Sequence, residues 1–365
     1  MIRYVLDSLQ DLEVPMEQTK GNINPFSKES FLGIKGYLAI LILIHHLYQF
    51  TAFLSDTSFG YALYLLGHYG VVCFLFLSGF GLFSSYKAKG EAYINSFLRN
   101  RVLPFYLSYL FFVLIYTIYS LLNHGSVSVV LMLQSLTFGS TIVNFGWYFQ
   151  TALLMYLLFF IIRKWIANDS AFVLVLGGAI LLFIFSYYFL ISSSKTNYEP
   201  AFSFFVGVLF AYINDQKKAI FSKHPWLITV CGLVIFIVLA AFSTFYNFRY
   251  NDYKWVPSFE DFIYLLLTML SDLALAVFLT GFIAWVGTTS PRLIDNPVSR
   301  FFGEHSLEIY GLQGLFLSFL ENKIGNRAIY AAVAVLCIIV VAIPVHKLLG
   351  LIKKRITAAK SSQSC

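Results

Sequence analysis

The chain has 365 residues, of which 59% are hydrophobic, 19% aromatic and only 12% charged, with a formal net charge of +7. About 25% charged residues is usual for a soluble domain, and a mean hydropathy of +0.75 is more apolar surface than one water-facing core can hide. These numbers exclude a soluble enzyme, and they argue against nucleic-acid binding, since no folded basic domain exists to carry it.

The apolar residues come in blocks of roughly 20, about the length that crosses a bilayer core as helix. Alternating blocks of ~10 residues, the mark of an outer-membrane barrel, are absent. The expected fold is therefore all-α, a polytopic membrane helix bundle. Ahead of the first block lies a polar leader, residues 1–30, whose Ile2, Val5, Leu6, Leu9 and Leu12 fit a short interfacial helix. With that leader in front, the first span reads as a retained anchor rather than a cleaved signal.

Ten spans follow, at about 31–53, 61–84, 103–122, 146–166, 171–191, 200–213, 226–246, 262–287, 301–320 and 328–350. They make one membrane domain, 31–352, followed by a basic tail, 353–365. If both termini are cytoplasmic, nineteen of the 25 Lys and Arg residues fall in inside segments and five in outside loops, with Lys35 inside span one. That asymmetry is the one cytoplasmic loops carry, and it suits a multi-pass protein of a cell membrane, with a bacterial plasma membrane the expected one. The external loop 123–145 is long enough for a re-entrant or surface segment, with Val129, Val130, Leu131 and Leu133 as its apolar face. Cys73, Cys231, Cys337 and Cys365 show no CxxC or Cys/His metal spacing.

Ionisable groups inside spans cost at least ~2.5–3.5 kcal/mol each, so every one asks for a reason. Span one holds Lys35, His45 and His46. Eleven residues of helix put Lys35 and His46 within ~20° of one face and ~16 Å apart along the axis, while His45 points ~80° away. The plain alternatives are a snorkelling anchor for Lys35 and interhelical hydrogen bonds for the histidines. Asp272, alone in span eight, faces a polar cavity or pairs with a His or Tyr. Glu304, His305 and Glu308 open span nine, where Glu304 follows Arg300 by four residues and offsets the helix dipole. Glu308 is a further candidate for a polar cavity. Trp147 and Tyr148 fit an outer aromatic belt, or stacking on a sugar ring. Ser78-Gly79 and Gly207 fit close helix packing.

A basic residue, ten intervening positions and a His in the first span resembles the signature of the acyltransferase-3 family of integral membrane O-acyltransferases. The resemblance continues in VVCFLFLSGFGLF (71–83), NSFLRNRVLPFY (95–106), FGWYFQTALLMY (145–156), FSFFVGVLFAY (202–212) and EHSLEIYGLQ (304–313), in order from about 31 to 320. Two positions depart from the family pattern. Pro104 stands where the family's Arg-x-x-Arg would put its second arginine, leaving Arg99 and Arg101 to share the role. Gln313 stands where a His is common, and no role is carried onto it.

The resemblance implies transfer of an acyl group, usually acetyl, from cytoplasmic acyl-CoA to a hydroxyl of an extracytoplasmic carbohydrate such as a surface polysaccharide. His46 would be the general base or the acyl carrier. Arg99 and Arg101 would meet CoA phosphates, and Lys35 would bind CoA or steady a neighbouring charge. The implied partners are acyl-CoA, the carbohydrate acceptor and the lipid bilayer. From another class, a transporter of glycan or lipid precursors would show inverted repeats and helices broken at the midplane. No repeat is visible, and among the spans only the tenth carries an interior proline, Pro344.

Overall fold

The computed structural model describes residues 24–52, 57–190, 198–216, 220–250 and 259–359. The leader helix expected around Ile2–Leu12, and the loop cations Lys195, Lys217, Lys218 and Lys254, lie outside the described residues. Among the described residues there is no strand. The chain forms α1 (Lys28–Thr51), α2 (Ser58–Lys89), α3 (Glu91–Phe97), α4 (Leu103–His124), α5 (Val129–Ser135), α6 (Trp147–Trp165) and α7 (Asp169–Leu190). It continues as α8 (Ala201–Gln216), α9 (Pro225–Tyr250), α10 (Phe259–Thr289), α11 (Pro291–Ile294), α12 (Pro297–Glu304), α13 (Ser306–Leu320) and α14 (Arg327–Ala359).

Among the described residues, seven helical stretches are long and apolar enough to cross a membrane: α1, most of α2, the α3–α4 rod, α7, α9, α10 and α14. The segments expected as the other three spans are the helices α6, α8 and α13, of 19, 16 and 15 residues. These are shorter or more polar, and they lie inside the bundle. Gln150 and Thr151 of α6, Ser203 of α8 and Gln313 of α13 are all buried among protein groups. A helix wrapped by other helices has no need of an all-apolar surface.

Local chemistry explains where the helices start and stop. Ser27 caps α1 by accepting from the Ser30 amide, and α1 ends at Ala52, whose φ of 48° leaves helical space. Thr57 caps α2 through the Gly60 amide, and Gly90 (φ 61°) ends it. Between α3 and α4 lies a π-helical turn, Leu98–Val102, carrying both arginines. Pro104 sits in the first turn of α4. Proline has no N–H, and its ring crowds the carbonyl four residues back. Widening the preceding turn relieves that clash, with the Leu103 amide bonding Leu98 O instead.

Two close helix crossings set the frame. A Cβ on Gly79 would stand 2.1 Å from the Phe204 carbonyl oxygen, and one on Gly207 2.1 Å from that of Phe76, so α2 and α8 touch backbone to backbone. The same holds for α1 on α12, where a Cβ on Gly36 would meet Ser299 O at 1.9 Å and one on Gly303 Leu32 O at 2.1 Å. Around these crossings Phe97, Phe112, Phe149, Phe159, Phe172 and Phe204 fill the core. At the ends of α2, α6, α7 and α8, Lys87 bonds Asp169 at 2.8 Å and Asp215 at 3.3 Å. Arg163, almost fully buried, reaches Asp169 at 2.9 Å and lies 3.7 Å over the Tyr86 ring.

The expectation for Glu304 is corrected. The chain breaks at His305, so Glu304 ends α12 rather than opening the next helix, and Arg300 pairs with Asp295. The Arg300 guanidinium holds the Asp295 carboxyl below its usual range. The capping box Asn296/Ser299 with Pro297 in the first turn fixes the start of α12.

Candidate active site

The buried face of α1 carries the site. His46 is 6% exposed near the helix end, and its Nδ1 lies 2.9 Å from Gln49 Oε1. An amide oxygen only accepts, so Nδ1 carries the hydrogen and Nε2 keeps its lone pair. The ring stacks on Phe145, centroids 3.6 Å apart. Phe145 is a non-glycine residue at φ 63°, a costly conformation held by tertiary contacts. The Tyr310 hydroxyl donates to its carbonyl at 2.7 Å. Next to it, Asn144 Nδ2 donates to Ser318 Oγ at 2.9 Å, tying the segment to α13. The chain ahead of α6 thus folds inward and closes one face of the His46 ring, while Gln49 is exposed beside it.

His45 faces elsewhere. Its Nδ1 donates to Leu63 O on α2 at 3.2 Å, and its ring lies where a Cβ on Gly67 would be. The two rings are 4.8 Å apart, and their partners belong to different elements.

Lys35 lies seven residues before Ile42 on the His46 stripe, and the charge of Arg101 acts on it. The Arg101 guanidinium is 5.7 Å from the Tyr93 centroid, and its charge also reaches Tyr156, whose hydroxyl meets Ser78 Oγ at 3.5 Å. Neither Lys35 nor Arg101 pairs with a carboxylate among the described residues. Lys35 is half-buried and Arg101 exposed. Arg99 stands apart from both. On the wide π turn it points elsewhere, bonding the Asn100 side chain at 3.4 Å.

The other expected polar residues find protein partners. Asp272 is fully buried and lies 3.2 Å from His68 Nε2, so it is the partner of a histidine rather than the wall of a polar cavity. Glu308 meets His346 Nδ1 at 3.3 Å. Tyr148 is no belt residue: it is 9% exposed, packed against Phe74, Phe149 and Tyr310. Tyr148 anchors α6 because the 141–146 segment turns inward before it. Trp147 is half-buried against the same core.

Sequence reasoning passed over His68, His346, Gln49, Phe145 and Tyr310. The rule that flagged Asp272 flags His68 equally, as an ionisable group within an apolar block. For Phe145 and Tyr310 the motifs were visible, but their joint role needed the fold. Gln313 is fully buried, with no hydrogen-bond partner for either amide atom.

A cavity of about 800 Å³ lies on another face of α1, between α1, α2, α9 and α10. Its walls, including Leu38, Leu41, Phe236 and Phe278, are largely apolar and carry no charged side chain, with Tyr37, Tyr69 and Cys73 the polar or nucleophilic groups among them.

The acyltransferase-3 family model, described as an acyltransferase domain, matches residues 29–347. No curated protein and no solved structure matches the chain.

Proposed function

This chain belongs to the acyltransferase-3 family of membrane acyltransferases, and from that premise we propose that it moves an acyl group from cytoplasmic acyl-CoA to a hydroxyl of an extracytoplasmic carbohydrate. One observation supports this reading above the others. One stripe of α1 carries Lys35, on which the charge of Arg101 acts, and a buried histidine whose Nδ1 is held by Gln49 while Nε2 keeps its lone pair. CoA carries several phosphates, so its polar end suits the cations, and its thioester suits the histidine. Arg99 adds positive potential on the same turn.

Two routes fit His46, and both balance. As general base, Nε2 takes the proton of the acceptor hydroxyl while its oxygen attacks the thioester carbonyl. The C–S bond breaks, and the proton passes on to the CoA thiolate. As acyl carrier, Nε2 attacks the thioester, and the leaving thiolate takes the ring proton. The acceptor oxygen then attacks the acyl-imidazole, and the hydroxyl proton restores the ring. Asp272, His45, Trp147, Tyr148 and Glu308 take no part in either route; their contacts are structural.

The test uses membranes containing the full chain and labelled acetyl-CoA. His46→Ala should lower transfer by about 10²–10⁴-fold at normal protein level, whereas His45→Ala should cost much less. Wild-type transfer by His46→Ala would end the assignment. Equal loss at both positions would move the site to the other stripe.

A further inference from the structure

The apolar cavity of about 800 Å³ beside α1 holds none of the groups that the proposed reaction uses. Its height follows from the register of its walls. Ile42 on α1 is level with Gly70 on α2, since a Cβ on that glycine would stand 2.7 Å from it. The walls run from Ile34, eight residues to one side of that level, to Ala62, eight to the other, a height of about 24 Å. The hydrocarbon of one leaflet is about 15 Å deep, so a lipid chain fits at full length. Tyr37, Ile237 and Leu293 stand at the rim, 40%, 55% and 64% exposed. The cavity therefore opens sideways, between α1 and α9, onto the surface that faces the bilayer.

Protein interiors rarely leave a void larger than a water, and a buried water needs about two to four polar partners. The deep walls, Leu38, Leu41, Phe236, Leu275, Phe278 and Leu279, offer none. The Tyr37 hydroxyl is already taken, donating to Leu293 O at 2.6 Å and accepting from Asn296 Nδ2 at 2.9 Å. Hydrocarbon is the filler of matching polarity. The rim at the Leu293 end is cationic. Arg292 is exposed beside Leu293 and enters no ion pair among the described residues. The nearby acids serve another cation: Asp295 pairs with Arg300, and the charge of Glu29 acts on Arg300 as well. Trp285, near the end of α10, and Trp226, in the first turn of α9, are exposed at this same end, because Gly281 and Thr229 meet where the two helices cross. Tryptophan at a helix end sits at headgroup level. Here too α2 finishes, with Lys87 and Lys89 in its last turn.

We propose that the cavity is a binding site for an anionic glycerophospholipid of the bilayer, whose hydrocarbon lies between α1, α2, α9 and α10 and whose phosphate meets Arg292. Apolar walls bind the chains of any lipid, and the unpaired cation at the rim selects the anionic headgroup. Beside the cavity, Tyr69 packs on Phe236 at 4.8 Å and His68 meets Asp272 at 3.2 Å. The lipid fills the packing that these contacts leave open between the α9–α10 pair and α1, the helix that carries His46. This role is independent of which donor and acceptor the enzyme uses.

The experiment purifies the full chain in mild detergent, offers it equal amounts of phosphatidylglycerol and phosphatidylethanolamine, washes it, and identifies the retained lipid by native mass spectrometry. Wild type should keep bound lipid through the wash and favour phosphatidylglycerol by about fivefold, the worth of one basic side chain at a membrane surface. Arg292→Gln should lose most of that preference and still retain lipid. Leu279→Trp, which fills the cavity, should cut retention several-fold, and the milder Ala240→Phe keeps the test open if the larger side chain unfolds the protein. Elution as a single species in detergent shows which variants are folded. Wild type that retains no lipid, or retains both lipids equally, overturns the proposal, as does unchanged retention in both folded filling variants. Mass spectrometry of the chain before any lipid is added identifies what it carries from the cell. A lipid-linked glycan or an acyl-CoA displaced by Leu279→Trp or Ala240→Phe would assign the cavity to a substrate and overturn the proposal as well.

Discussion

At the scale of single residues, the site depends on how His46 is held. Gln49 Oε1 fixes the hydrogen on Nδ1, and a single hydrogen bond of this kind is worth about 0.5–1.5 kcal/mol. Gln49→Leu should therefore lower the transfer rate about tenfold at most, without changing the apparent affinity for acyl-CoA, while Gln49→Glu, which keeps an acceptor, should retain most of the rate. A change confined to KM would show that Gln49 touches the donor instead. Gln313 offers a complementary test. A buried amide with no protein partner costs stability in an apolar interior, and folding alone gives no reason to keep it. Gln313→Leu should leave thermal stability unchanged or raise it, yet reduce transfer if the amide meets a substrate group. Lower stability with unchanged transfer would make Gln313 a packing residue.

At the scale of elements, close glycine contacts hold the stripe in place, and part of this was legible in the sequence. Ser78-Gly79 and Gly207 fit close packing by sequence, and the α2–α8 crossing uses both glycines. A methyl at either would need a shift of backbone rather than of a side-chain tip. Gly207→Ala should destabilise the protein by about 1–3 kcal/mol, seen as a lower melting temperature in detergent. Gly81→Ala, on α2 beside Gly79 but with nothing within 4 Å, should be neutral or stabilising by up to about 1 kcal/mol. Equal effects at the two sites would refute the crossing. The inward turn of residues 141–146 was not legible. It depends on contacts with α1, α4 and α13 far along the chain, such as Tyr109 to Thr141 and Tyr310 to Phe145. Read locally, Trp147 and Tyr148 looked like an interface pair because aromatic residues beside an apolar block are the usual sign of one.

At the scale of the whole molecule, the Lys35–His46 stripe could be found from spacing alone, because helical period converts eleven residues into one face. The arginines could not be sorted this way. Arg99 and Arg101 both lie on the π turn ahead of Pro104, and of the two the charge of Arg101 is the one that acts on Lys35. Charge counting also treats every cation alike, whereas Arg163, in the last turn of α6, is buried in an ion pair and an aromatic stack. The direction of the stripe across the membrane rests on that count. Lys87 and Lys89 in the last turn of α2 and Arg99 and Arg101 on the π turn beyond α3 share the stretch after span two, and the mechanism needs this end in the cytoplasm, where acyl-CoA is found. A reporter fused after residue 90 should therefore be cytoplasmic, and one fused near residue 252 external. The two fusions test different things. An odd number of crossings separates the two points if they differ, and the sign at residue 90 sets which end of the stripe meets CoA. A reporter at 90 reading external would put Lys35 and Arg101 on the wrong side for their proposed ligand. His46 would then face the cytoplasm, and the donor and acceptor ends of the site would have to be exchanged.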